Sequence, residues 1–263
     1  MSFFLIILLN KISDHLHIGL LAAMKEELGQ ITENLINLES SIYGDIEIFS
    51  GLWKIDEKRE ILVSVAWSGW GKVSAARATT RLISTIYRKK KVNLLVFTGL
   101  AGAVNPSLSQ WDVIIADSVI QHDMDARPLF NKFVIPAINN QKIYPNIKTI
   151  NSLLSKIKEK SLQNYGSFYK GLIATGDIFI SDKNKLKELS DQIPELLAVE
   201  MEGAAFAQVA KQEKIDWLLI RTISDGADDK ASQDFSSFLS NYKYHSFSLI
   251  KAIFDIVIKE SEF

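Results

Sequence analysis

The sequence has no cysteine, which excludes disulfides, thiol nucleophiles and thiolate metal sites together. It has no surplus of either charge. Thirty Lys and Arg against 31 Asp and Glu give a formal net charge of −1, so no global field draws the chain to nucleic acid or to an anionic membrane. It has only five prolines, shows no repeat with a period of ~20–50 residues, and has no apolar run of the ~20 residues that a membrane span needs. The opening run over residues 3–9, FFLIILL, is far shorter than a span, and it lacks the basic flank and small-residue cleavage site of a secretory signal. Residues 1–16 are therefore expected to be an N-terminal extension, with a short signal or anchor, and so export, as the alternative reading.

What is present is a globular composition: 263 residues, 47% hydrophobic and 23% charged. One compact domain is expected from residue 17 to residue 263, with a small-molecule ligand as its partner. HIGLLAA reads as a buried strand, and MKEELGQITENLINL after it as a helix. IEIFSGLW and ILVSVAW, separated by DEKRE, read as a hairpin. SGWGK is a loop, VSAARATTRLISTIY a helix, and the basic run at residues 88–91 its solvated end. NLLVFTGLAGAV, WDVIIADSVIQHD, GLIATGDIFI, LLAVE and WLLIRTISDGA supply further strands, MEGAAFAQVAKQEK a helix and the tail from residue 235 an amphipathic helix. Residues 127–163 hold three of the five prolines and read as a long loop plus one helix. Strands alternating with helices predict an α/β fold with a largely parallel sheet, whose ligands bind at the carboxyl ends of the strands.

Several familiar motifs fail. In GWGKVS the phosphate-loop positions carry Ala66 and Val73 in place of glycine and a hydroxyl residue, and Gly69 and Gly71 are followed by Ser74 where a dinucleotide fingerprint needs its third glycine. The histidines at 15, 17, 122 and 245 have no convincing metal-ligand spacing, and no GxSxG elbow exists. What remains is carboxylates at strand ends: Glu26 and Glu27, Asp177, Glu200 and Glu202, and Asp225, with Arg221 nearby. Any one of them could be a helix-capping or solvated acid. In a parallel sheet they converge on one rim, as a pocket for a neutral, hydroxyl-rich ligand would require.

The segments HIGLLAAMKEEL, SGWGKVSAA, FTGLAGAV, ATGDIFI, AVEMEGAAFAQVA and IRTISDGAD follow one another as in the methylthioadenosine/S-adenosylhomocysteine nucleosidases, which the chain resembles over roughly residues 17 to 258. VEMEGAA and RTISDGA mark the wider nucleoside phosphorylase and nucleosidase superfamily, and MKEE, in place of a phosphate-site arginine segment, points to the nucleosidase branch. The resemblance implies a single-domain three-layer αβα sandwich around a mixed, largely parallel sheet, a cytoplasmic homodimer, and no metal or organic cofactor. It implies hydrolysis of the N-glycosidic bond of methylthioadenosine, S-adenosylhomocysteine and 5′-deoxyadenosine. Asp225 would be the general acid toward N7, oriented by Ser224, while Glu27 would activate water and Arg221 order the site. Glu202 would accept the ribose hydroxyls, Met201 pack on the sugar, Phe179 stack on adenine and the Ile180 backbone read the purine edge. Met24, Trp70, Ala101, Glu200 and Phe235 would complete the substrate pocket. Leu100 and Trp70 depart from the usual pattern of a serine and an aliphatic residue, which bears on the ribose contact and the 5′ pocket. The rival readings are a phosphorylase on the same fold and a non-catalytic nucleoside-binding or surface-attachment protein.

Overall fold

A computed structural model describes residues 16–57, 59–160 and 162–260. The extension expected over residues 1–16 lies outside them except for Leu16. Strands β1 (His17–Ala22), β7 (Leu94–Ala103) and β12 (Asp216–Asp225) form the middle of the sheet, and their long apolar runs are buried almost throughout. Burial on both faces is what such unbroken Leu, Ile and Val stretches require. β1 runs parallel to β7 on one side and to β4 (Glu60–Trp67) on the other, and β12 runs parallel to β7. β3 (Ile46–Lys54) pairs with β4 as the expected antiparallel hairpin.

On the other flank, β8 (Val113–Gln121) lies beside β12, β10 (Phe168–Thr175) parallel to β8, and β11 (Leu196–Glu200) parallel to β10. β11 then turns back onto β7, pairing Ala198 with Ala103 and Val199 with Gly102. The mixed sheet thus curls into a ring of β7, β11, β10, β8 and β12, which gathers several strand ends around one space.

Helices cover both faces. Helix α1 (Lys72–Ser84) and helix α4 (Gly203–Glu213) bury Ala75, Ala78, Leu82, Ala204 and Phe206 against Leu21, Leu95 and Phe97. Helices α2 (Ile147–Lys158) and α6 (Ser246–Glu260) bury Ile150, Leu153, Leu249 and Phe254 against Ile18, Leu20 and Val96. Alternate strand residues therefore feed opposite layers, as strand geometry dictates. Helix α3 (Lys183–Gln192) follows β10, and helix α5 (Ala231–Tyr242) follows β12 and lays Phe238 and Tyr242 against Leu100.

Four expectations need correction. The helix expected after β1 is two short 3₁₀ turns, Lys25–Leu28 and Thr32–Asn34, followed by the edge strand β2 (Ile36–Tyr43). Glu27 folds its carboxylate back onto the Ala23 and Met24 amides, which closes the first turn. β2 is exposed on both faces, so it leaves no alternation to read. The basic run is a turn, not a helix end: Arg88 and Lys89 take positive φ and join β5 (Ile86–Tyr87) to β6 (Lys90–Lys91), as a tight hairpin requires. GLIATGDIFI leaves the sheet at Thr175, because Gly176 and Asp177 turn the chain away toward α3. The tail is two helices, α5 and α6, separated by residues 243–245, with α3 an addition to the expected elements. In the stretch over 127–163, one helix, α2, and the two-residue β9 (Lys142–Ile143) are the regular parts. Among the described residues, no helix is long and apolar enough to cross a membrane.

One buried polar chain ties the strands together. His17 is fully buried, its Nδ1 lies 3.2 Å from the Lys90 carbonyl, its Nε2 2.8 Å from Ser64 Oγ, and Ser64 Oγ 2.7 Å from Ser50 Oγ. The neutral ring suits both ends, with Nδ1–H donating to the carbonyl and Nε2 accepting from Ser64. Burial lowers its pKa from 6.5 to about 4. Between those values the unfolded chain binds a proton that the folded chain excludes, so stability falls as pH drops from 6.5 toward 4 and does not change above 6.5. The loss amounts to about 3 kcal/mol. Urea unfolding at pH 7, 5.5 and 4.5 should show a shallower acid loss in His17→Gln than in the wild type; equal slopes would remove His17 as the source.

Candidate active site

A cavity opens at the carboxyl ends of β1, β7, β11 and β12. Glu27, Met24, Trp70, Ala101, Phe179, Ile180, Glu200, Met201, Glu202, Ser224, Asp225 and Phe235 all border it, so the residues expected at the site converge, with Arg221 alone set back. No lysine or arginine is among its lining residues, and Glu26 points to solvent. Among the described residues, no group of three His, Asp or Glu side chains is placed to hold a metal ion.

Glu27 is buried, and three amides hold it. Oε2 accepts from Ala23 and Met24 at 2.8 and 2.9 Å, and Oε1 accepts from Leu100 at 3.0 Å. Burial raises its pKa; the Arg221 charge and the three amides act against that rise without cancelling it. The carboxylate approaches β7 so closely that a Cβ on Gly99 would fall 2.7 Å from Oε1, so only glycine admits it there.

Asp225 ends β12, where a register shift after Ile223 places it beside Gly102. Ser224 Oγ donates to Oδ2 at 2.7 Å and the Ala227 amide to Oδ1 at 2.9 Å. Burial raises its pKa too, and the nearby acids Asp234 and Asp228 add to the rise.

Glu200 and Glu202 flank Met201 and differ in kind. Glu202 Oε1 accepts the Gly71 amide at 2.8 Å, and its pKa is pushed up to about 8 by burial and by the charge of Glu200. Glu200, expected to bind substrate, spends its oxygens on the protein. It accepts from Thr175 Oγ1, from the Glu202 amide at 3.2 Å, from the Gly203 amide at 2.7 Å, and from Arg221 Nη2 at 2.6 Å. Arg221 is thus the partner of Glu200, with both side chains nearly inaccessible, and its guanidinium lies 4.3 Å from the Phe97 ring centre.

The mouth of the cavity is aromatic. Phe235 meets Trp70 edge-on at 6.0 Å and Phe179 at 6.1 Å, and Trp70 and Phe179 remain exposed. Leu100, buried against Phe238 and Tyr242, contributes its amide and no hydroxyl. Sequence reasoning missed Thr175 and the amides of Ala23, Leu100 and Gly71. A threonine closing LIAT was a legible hint, whereas a main-chain donor leaves no trace in residue type.

The phosphorylase superfamily model matches residues 17–255. The 5′-methylthioadenosine/S-adenosylhomocysteine nucleosidase of Shewanella denitrificans is 33% identical over 90% of this chain and 97% of its own length, and that of Haemophilus influenzae (strain PittEE) 34% over 90% and 98%. The crystal structure of the Neisseria meningitidis nucleosidase with methylthio-immucillin-A superposes with a TM-score of 0.80 at 27% identity, covering 91% of this chain and 98% of that one. Futalosine hydrolase of Helicobacter pylori superposes with a TM-score of 0.78 at 28% identity, covering 91% and 97%. The chain belongs to the phosphorylase superfamily and, within it, to the 5′-methylthioadenosine/S-adenosylhomocysteine nucleosidase family.

Removing one member of a buried ion pair leaves an uncompensated charge, which costs about 3–5 kcal/mol. Arg221→Met should lose that much stability in urea unfolding at pH 7, and Glu200→Gln in the same chain should restore part of it. A single-variant loss below about 1 kcal/mol would mean that Glu200 is held by its amide and hydroxyl donors alone.

Proposed function

We propose that the protein hydrolyses the N-glycosidic bond of 5′-methylthioadenosine and S-adenosylhomocysteine, and of 5′-deoxyadenosine, releasing adenine and the corresponding 5-substituted ribose. The observation that carries this reading is the meeting of two buried carboxyls of raised pKa, Asp225 and Glu27, in one cavity that no cation lines.

The leaving purine departs more readily as its N7 is protonated while the ribose becomes oxocarbenium-like. Asp225, whose pKa burial and its acidic neighbours raise, supplies that proton, and Ser224 holds the carboxyl in place. The C1′–N9 electron pair leaves with adenine. Glu27 takes a proton from a water whose oxygen then bonds to C1′. Three amides and the Arg221 charge oppose the rise that burial causes in the Glu27 pKa without cancelling it, and a raised pKa makes its carboxylate a stronger base than in water. Oε2 of Glu202, which accepts none of the amide bonds described above, and its partner oxygen take the ribose hydroxyls, with Met201 on the sugar face. Phe179 covers the base and the Ile180 backbone meets its edge, while Glu200 and Arg221 act behind this layer as positioning residues. The names of the relatives support methylthioadenosine and S-adenosylhomocysteine as substrates.

The same reading includes a homodimer. Leu129 is 84% exposed and Val73 80%, and both are side chains that a second copy of the chain would cover. It also places the enzyme in the cytoplasm, in methionine salvage, with export through the apolar run over residues 3–9 as the alternative.

Water and phosphate are the competing nucleophiles on this fold. Phosphate is normally held by arginine forks, helix N-termini or loop amides. Here Arg77 binds Asp45 and the Tyr43 carbonyl at the surface, and Arg81 lies over the Tyr43 ring. Adenine release from methylthioadenosine should therefore proceed at the same rate with and without phosphate, with free methylthioribose as the sugar product. Strict phosphate dependence with methylthioribose-1-phosphate as product would establish a phosphorylase instead.

Asp225→Asn should lower kcat by ~10²–10⁴ with a far smaller change in substrate binding, because the amide cannot give up the proton that N7 takes. A variant that keeps more than about a tenth of the wild-type kcat would remove Asp225 from the role of acid.

A further inference from the structure

The most tightly connected polar cluster outside the cavity sits where helix α1 begins, and none of its members lines the pocket. Lys72 Nζ binds Asp123 Oδ1 at 2.7 Å and reaches Gln121 Oε1 at 3.3 Å. The other oxygen of Asp123 accepts the Asp177 amide at 3.0 Å, and Asp177 Oδ1 in turn accepts the Lys72 amide at 2.8 Å. The three residues close a loop in which each touches the other two. Lys72 and Asp123 are mostly shielded from water, at 18% and 19% side-chain exposure. Burial alone would raise the Asp123 carboxyl; the Lys72 ammonium and the Asp177 amide outweigh it and hold the pKa below its ordinary value.

The cluster joins two walls of the site. Gly71, directly before Lys72, donates its amide to Glu202 Oε1. Phe179 and Ile180, two and three residues after Asp177, line the cavity as well. Gly71 has φ +93, and a Cβ there would sit 3.0 Å from Asp177 Oδ1, so the glycine is what lets the carboxylate reach the first helical amide. Nothing in the proposed chemistry uses Lys72, Asp123 or Asp177.

We propose that Asp177, closed into a clamp with Lys72 and Asp123, is a positioning residue that fixes the Gly71 amide on Glu202 and sets the Phe179–Ile180 wall at the matching distance for a nucleoside. The clamp aligns binding groups and moves no proton, so its loss falls on KM and not on kcat. This inference rests on the nucleosidase reading for its kinetic consequence and on the geometry alone for its structural one.

The test is Asp177→Ala beside Asp177→Asn, which keeps an oxygen for the Lys72 amide. With methylthioadenosine as substrate, Asp177→Ala should raise KM about tenfold, the scale of one lost charge-assisted hydrogen bond, while kcat stays within about threefold. Asp177→Asn should recover most of the loss. Amide hydrogen exchange over residues 69–75 of the unliganded protein should be about tenfold faster in Asp177→Ala and close to wild type in Asp177→Asn. An unchanged KM in an active Asp177→Ala protein, equal defects in the two variants, or unaltered exchange would each overturn the clamp. A wild-type protein that releases no adenine would instead overturn the nucleosidase reading, and the exchange measurement would still decide the clamp.

Discussion

Placing Arg221 out of reach of solvent strips a guanidinium of its water, and the several kcal/mol this costs is offset only by a matched anion with its own hydrogen bonds satisfied. Glu200 is that anion, and its position explains much of the site. It ends β11, its partner lies in β12, Thr175 beside it ends β10, and the Gly203 amide it accepts begins α4. One carboxylate therefore fixes two strand ends, the middle of a third strand and a helix start relative to one another. The charge of Arg221 also bears on Glu27 and Glu202, holding down both pKa values against burial. In the mechanism proposed above, the pair acts by positioning other residues.

The ring in the sheet makes this possible. In an open parallel sheet, acids at the ends of separate strands stand in a row; here β11 bonds back to β7, so Val199 faces Gly102 while Asp225 faces the same glycine from β12. The ends of β11 and β12 are brought together across one strand. Space inside such a ring is scarce, and the TGLAG segment answers it with Gly99, which leaves room for the Glu27 carboxylate.

The parts of this arrangement legible from sequence were those that residue type encodes directly. The apolar runs HIGLLA and LLVFTGLAGA announced buried strands, and the acids that follow such runs announced a polar rim, which is where Glu27, Glu202 and Asp225 converge. Where tertiary contacts decide, the pattern was silent or misleading. β2 lies at an edge with both faces exposed, so INLESSIY shows no period, and KEEL looks helical although Glu27 turns inward and closes a single turn. Glu200 and Glu202 are two residues apart in one motif, and nothing in AVEMEG tells which faces the cavity and which is consumed by an arginine 21 residues further on. Asp177 was readable as a capping acid, but the helix it caps begins 105 residues earlier in the chain.

Four carboxyl groups of ordinary chemistry border one cavity, and only their surroundings separate them. Glu200 is paired with a guanidinium. Glu27 meets three amides and the charge of Arg221, which oppose but do not cancel the rise that burial causes in its pKa. Asp225 meets one hydroxyl and one amide and faces two further acids, and burial together with those acids raises its pKa. Glu202 is raised to about 8 by burial and Glu200, so hydrogen-bond donors brought to its oxygens, as the ribose hydroxyls of the proposed substrate would be, favour its anion. The four carboxyls have nearly identical intrinsic pKa values, and the fold separates them by giving each a different number of donors and a different neighbouring charge, which is the separation that the acid, base and sugar ligand of the proposed mechanism require.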